Sequence, residues 1–177
     1  RRLTRTKVSV WVALTRATNV SLAVRVAGQP ASEIVSAPTT PVRVGTNLWM
    51  ATVTADAPGG AGGTFAAGQL YEYRLTSTGW PQPNWSDVSI GTAHPAFPGP
   101  PASVADMKVL HTSCRKVHGG GRDGLALAAD MIMARVTANM PNARPHLLVL
   151  SGDQIYADEV PAPLMPRIRR IATDLVD

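Results

Sequence analysis

A chain of 177 residues, 45% hydrophobic and with a formal charge of +5, is long enough for one ordinary domain or two small ones and apolar enough to bury a core. No apolar run approaches the ~18 residues of a membrane span, and one cysteine, Cys114, excludes an internal disulfide framework. The excess of 17 Lys and Arg over 12 Asp and Glu suits a phosphate-bearing or polyanionic partner; much of it lies in RRLTRTK, a pattern more usual for a solvated end than for a nucleic-acid arm.

Arg1-Arg2 followed by VSVWVAL invites a reading as a twin-arginine export signal. The apolar run is too short for one, and Val8, Val10, Val12 and Leu14 alternate with the period of a half-buried strand. With no initiating methionine, the true start is expected upstream; localisation leans cytoplasmic, and export is compatible with a missing start.

Short strands follow. VSLAVRVA places Val20, Leu22, Val24 and Val26 on one face, then come NLWMATVTA and LYEYRLTS, the last setting Tyr71, Tyr73 and Leu75 against Glu72, Arg74 and Thr76. GQPAS, APGGAGG and AAGQ read as turns between them. Strands at this spacing without helical periodicity predict a β-sandwich. FAAGQLYEYRL resembles the tyrosine-centred corner of fibronectin type III and immunoglobulin-like domains, which gives Tyr71 or Tyr73 a structural role.

HPAFPGPPAS, residues 94–103, has four prolines in ten residues and reads as a stiff linker, dividing the chain into domains at 1–98 and 99–177. Beyond it MKVLHTSC predicts a strand, GLALAADMIMARVTAN a helix with Asp123 as N-cap, and HLLVL a second strand. This is a βαβ unit, whose right-handed crossover makes the strands parallel and puts their carboxyl ends on one edge. After a proline-rich stretch, Pro166 starts another helix, with Ile168, Ile171, Ala172 and Leu175 at the spacing of a buried stripe. Two strands alone leave an α/β sheet uncovered, so the second domain is expected to be cut off at Asp177.

Ligands of open α/β sheets collect at the carboxyl ends of the strands. Cys114 follows the first strand of the unit and Asp153 the second, with Tyr156 one turn farther on and Asp158 close by. Thiolate, carboxylate and phenolate are all anions, and three of them gather at one edge where a cation holds them. Phenolate suits ferric iron, a carboxylate can serve a second and harder divalent ion, and two metals form a clamp for in-line attack on phosphorus. Singly, each residue has a plainer reading: a small buried hydrophobe, a turn cap and a packing aromatic. Arg115, Lys116, His118 and Arg122 lie beside the cluster, where they could meet phosphate oxygens or act simply as solvated loop charges. His111 and His146 read as strand or edge residues, and His94 as a linker residue without a role.

HTSCRKVHGGGRDGLAL followed by HLLVLSGDQIYADEVP resembles the start of the metallophosphatase domain of the alkaline phosphatase D (PhoD-like) family, among the calcineurin-like metallophosphoesterases. VSVWVAL, VRVG and GQLYEYRL are similar to strands of that family's N-terminal β-sandwich. The resemblance implies a mixed α and β chain: an Ig or fibronectin III-like sandwich, then the first βαβ unit of an α/β metallophosphatase domain. It implies that Cys114 is a ligand of ferric iron, that Asp153 bridges iron to calcium, and that Tyr156 is a phenolate ligand of the iron; other divalent ions are compatible with the site. The catalytic nucleophile is then a metal-bound hydroxide, and the substrate a phosphomonoester or phosphodiester, nucleic acid entering only as substrate. Most calcineurin-like relatives open with Asp-x-His; here Ser113-Cys114-Arg115 stands in that place and favours the cysteine-bearing branch. The later ligands of the family would fall beyond Asp177, so these residues by themselves are expected to be inactive.

Three rival readings remain. Gly119, Gly121 and Gly124 satisfy G-x-G-x-x-G, but Asp153 comes 29 residues after Gly124, where a dinucleotide fingerprint expects about 20. A cysteine phosphatase would need an arginine at position 120, which is glycine. A non-catalytic sandwich binding module with a structural α/β segment is the third.

Overall fold

The computed structural model describes residues 1–60, 62–78, 82–116, 120–140, 143–156 and 160–177. The chain is mixed α and β. Eight strands come first: β1 (Arg2–Leu3), β2 (Lys7–Leu14), β3 (Ser21–Val26), β4 (Ile34–Val35), β5 (Val42–Gly45), β6 (Leu48–Asp56), β7 (Leu70–Thr76) and β8 (Ala96–Pro98). They form two four-stranded antiparallel sheets, ordered β1-β2-β6-β5 and β4-β3-β7-β8.

The alternating residues of these strands make one shared core. Val8, Val10 and Leu14 of β2 and Val53 of β6 meet Leu22 and Val24 of β3 and Tyr71 of β7. Val12 and Val26 flank them half-buried, so the alternation seen in β2 and β3 does select the inward face. Each fully buried Leu, Val or Phe stabilises by about 1.5–3 kcal/mol relative to an exposed one. Phe65, Tyr71 and Phe97 close one end of the core, Phe65 meeting Tyr71 edge-on at 4.8 Å and Tyr71 stacking on Phe97 at 5.7 Å. The Tyr71 hydroxyl accepts the backbone N–H of Ala66 at 2.8 Å, so Tyr71 rather than Tyr73 ties its strand to the preceding loop.

Three expectations change here. The stretch read as a stiff linker opens with β8, which pairs with β7 and carries Phe97, fully buried. An edge strand needs few ladder donors, and so tolerates Pro95 and Pro98. His94, given no role, sits with its Nδ1 3.2 Å from Arg25 Nη2. Glu72, assigned to an outer face, is buried because both Arg25 Nε and Nη2 donate to its Oε2, at 2.9 and 2.8 Å.

The remaining elements are β9 (Val109–Ser113), α1 (Gly124–Thr137), β10 (Leu147–Ser151) and α2 (Met165–Val176). β9 and β10 pair in parallel around the α1 crossover, as the βαβ pattern predicts. α1 begins at Asp123, whose carboxylate accepts the Leu125 N–H at 3.0 Å, and ends in a left-handed Asn139 at φ 51°. The stripe expected to be buried on α2 is not: Ile168 is 46% and Ile171 57% exposed. α2 docks by its end instead. Asn47 donates from its backbone N to Leu175 O at 3.1 Å and from Nδ2 to Asp174 O at 2.7 Å, and a Cβ at Gly45 would collide with the Leu175 carbonyl.

Candidate metal centre

The parallel register pairs Val109 with Leu147 and ends by pairing Ser113 with Ser151, so both strands finish level. The ladder continues one step: Cys114 N donates to Ser151 O at 3.0 Å. Both chains then turn through left-handed backbone, Cys114 at φ 56° and Gly152 at φ 65°. For glycine that conformation is free; for a residue with a Cβ it is strained, a feature that concentrates at functional sites.

The thiol of Cys114 is exposed. Ser113 Oγ lies 3.2 Å from its sulfur. The Ser113 hydroxyl, first, and then the backbone N–H of Asp153 and the Tyr156 hydroxyl lower the thiol pKa, against some desolvation and the negative charge of Asp153. The Asp153 N–H and the Tyr156 hydroxyl thus lie near enough to the Cys114 thiol to act on it. Sequence reasoning missed the two residues that shape the spot, Ser113 and Gly152. A Cβ on Gly152 would stand 2.6 Å from Cys114 Sγ and 2.7 Å from Ser113 Oγ, so the thiol occupies the space a side chain would take. A glycine directly after a strand-ending serine was the available signal.

The neighbouring cations divide. Arg115 donates from Nη2 and Nε to the Asp123 carboxylate at 2.7 and 3.2 Å, which holds that carboxyl below its ordinary range and ties the loop to the start of α1. Its guanidinium is therefore already engaged. The Lys116 ammonium lies over the Tyr156 ring, 5.7 Å from its centre. Cys114, Lys116, Arg122 and Asp123 line a cavity of about 460 Å³. His118 and Asp158 lie outside the described residues.

His111 in β9 and His146 just before β10 both make side-chain hydrogen bonds between the two segments. His111 Nε2 bonds Ser151 Oγ at 2.7 Å, and His146 Nδ1 accepts the Lys108 N–H at 3.0 Å. The glycine loop gives the dinucleotide reading little: a Cβ at Gly121 meets nothing within 4 Å and one at Gly124 only an ordinary contact, while Gly119 lies outside the described residues. Among the described residues no three His, Cys, Asp or Glu side chains form a metal-ligand group, so the cluster depends on its tyrosine. No helix is long and apolar enough to cross a membrane among the described residues. Comparison with family models, with curated proteins and with solved structures found no match.

Proposed function

We propose that the intact protein is a metal-dependent phosphate-ester hydrolase of the PhoD-like kind, residues 1–98 being an Ig or fibronectin III-like sandwich and 99–177 the beginning of its metallophosphatase domain. One observation carries the reading: the Cys114 thiol stands in left-handed backbone against Gly152 at the level ends of two parallel strands, with the Asp153 N–H and the Tyr156 hydroxyl near enough to lower its pKa. The Tyr71–Ala66 bond supports the sandwich half, since tyrosine corners tie the ring hydroxyl to backbone a few residues upstream.

The donor set fits the metals implied. A thiolate, a carboxylate and a phenolate offer one soft and two hard anionic ligands, so Cys114 and Tyr156 would hold ferric iron and Asp153 would be shared with calcium or another divalent ion. When bound, the metal pair supplies Lewis acidity toward water and phosphoryl oxygens. The chain supplies the rest. The left-handed turn at Cys114 sets the sulfur against Gly152 and beside the Ser113 hydroxyl, 3.2 Å away. Lys116 and Arg122 bring positive charge to the cavity where substrate oxygens would lie, and Arg115 positions this loop through Asp123.

The test is elemental analysis of the intact protein with assays on p-nitrophenyl phosphate and bis-p-nitrophenyl phosphate. Stoichiometric iron, and a fall in both iron content and turnover of at least ~100-fold in Cys114→Ala, are expected, because even residues behind metal ligands cost 10–100-fold. Undiminished turnover in that variant would refute the assignment.

A further inference from the structure

Arg144 is 6% exposed, and among the described residues its Nε and Nη1 have no hydrogen-bond partner. Among the described residues its side chain makes one hydrogen bond, a long one from Nη2 to Ala96 O at 3.4 Å. The Arg1 guanidinium reaches the same carbonyl, Nη1 to Ala96 O at 3.4 Å, while lying over the Phe97 ring at 5.0 Å. Two like charges thus converge on one oxygen, and neither has a carboxylate partner among the described residues. Burial depresses the Arg144 pKa, and the charge of Arg1 depresses it further. A buried cation left this way is costly unless an anion joins it.

Space for one is present. Arg144 and Arg1 line a cavity of about 300 Å³ whose remaining wall is largely apolar, including Leu110, Leu125, Ala129, Ile132 and Leu148. That volume is at the lower end of small-molecule sites, which are mostly apolar with a few polar groups fixing orientation. The cavity shares no lining residue with the one beside Cys114. A bare oxyanion would leave the apolar wall unused, and a neutral apolar molecule would leave Arg144 unpaired.

We propose that this cavity, between α1, β8 and the β9–β10 pair, is a second ligand site, which takes a small monocarboxylate with an apolar body. The carboxylate pairs with the Arg144 guanidinium, with Arg1 beside it, and the hydrocarbon lies along α1 and the sheet.

Octanoate is the probe, titrated into the intact protein at constant ionic strength by calorimetry and thermal shift, with 1-octanol and inorganic phosphate in parallel. Saturable octanoate binding is expected, at least tenfold tighter than either control. Arg144→Met should weaken it tenfold or more without lowering the melting temperature of the unliganded protein, because a hydrophobe of similar size replaces an unpaired buried cation. If that variant does not fold, Ala129→Leu, which narrows the apolar end, should weaken octanoate and leave phosphate unaffected. Octanol or phosphate binding as tightly as octanoate would overturn the proposal. So would octanoate binding unchanged in both variants, or no octanoate binding by the wild-type protein.

Discussion

Cys114 and Gly152 face one another across the level ends of two parallel strands, both in left-handed backbone, with no room between them for another carbon. Gly152→Ala therefore meets two penalties at once, a strained φ and a clash with the sulfur. Destabilisation of about 1–3 kcal/mol in urea unfolding is expected, with loss of bound iron from the intact protein. Gly121→Ala is the control, since a Cβ there meets nothing within 4 Å, and it should be close to neutral. Equal behaviour of the two variants would show that the strand ends are not crowded as described.

Tyr156→Phe removes a hydroxyl that lowers the Cys114 thiol pKa. If Tyr156 binds ferric iron as its phenolate, the iron-loaded intact protein should be coloured and the variant bleached, because the visible band of a tyrosinate–iron pair needs the oxygen. Retention of the band with Phe at this position would exclude Tyr156 as a ligand.

Glu72 is the acceptor that lets Arg25 be largely withdrawn from water, their side chains being 7% and 19% exposed. Glu72→Ala should cost about 3–5 kcal/mol by leaving the guanidinium without its carboxylate. The double variant Glu72→Met, Arg25→Met should recover most of that loss. Chemical denaturation of the single and double variants measures the coupling, and strictly additive losses would contradict it.

His146 has its pKa lowered, first by burial and then by Lys108, with Asp106 pulling the other way. Its neutral Nδ1 accepts the Lys108 N–H, and protonation would remove that acceptor. The unfolded chain then takes up the proton more readily than the folded one. Stability is accordingly full above the ordinary histidine pKa of about 6.5 and falls as pH drops through that value toward the folded-state pKa. An NMR titration of the His146 ring should give a midpoint below the ordinary value, and His146→Gln should flatten the loss of melting temperature over the same range. A midpoint at or above the ordinary value would be inconsistent with the packing described.

Much of this fold is written in local period. Alternation located the buried face of β2 and, Ala23 apart, of β3, and the strand–helix–strand texture after the proline-rich stretch announced the β9–α1–β10 crossover. Elements whose stability comes from elsewhere were hidden. β8 holds because Phe97 fills the end of a core built mostly of earlier strands, and Glu72 is buried because Arg25 and His94 reach it from distant positions. The amphipathic pattern of α2 states that one face can be covered and is silent on what covers it. At the site, crossover handedness was enough to bring Cys114 and Asp153 to one edge. The parts played by Ser113 and Gly152 lie in backbone angles, which residue type only suggests.

The level pairing of Ser113 with Ser151 also constrains how this chain can vary in length. Inserting a single residue between His146 and Ser151 would reverse the parity of every position after it, turning Gly152 and Asp153 to the opposite side of the pleat from the sulfur. A two-residue insertion would restore the side but carry the turn one rung past its partner. Lengthening of the loop before His146 meets no such arithmetic, so natural or engineered insertions compatible with the cluster belong there.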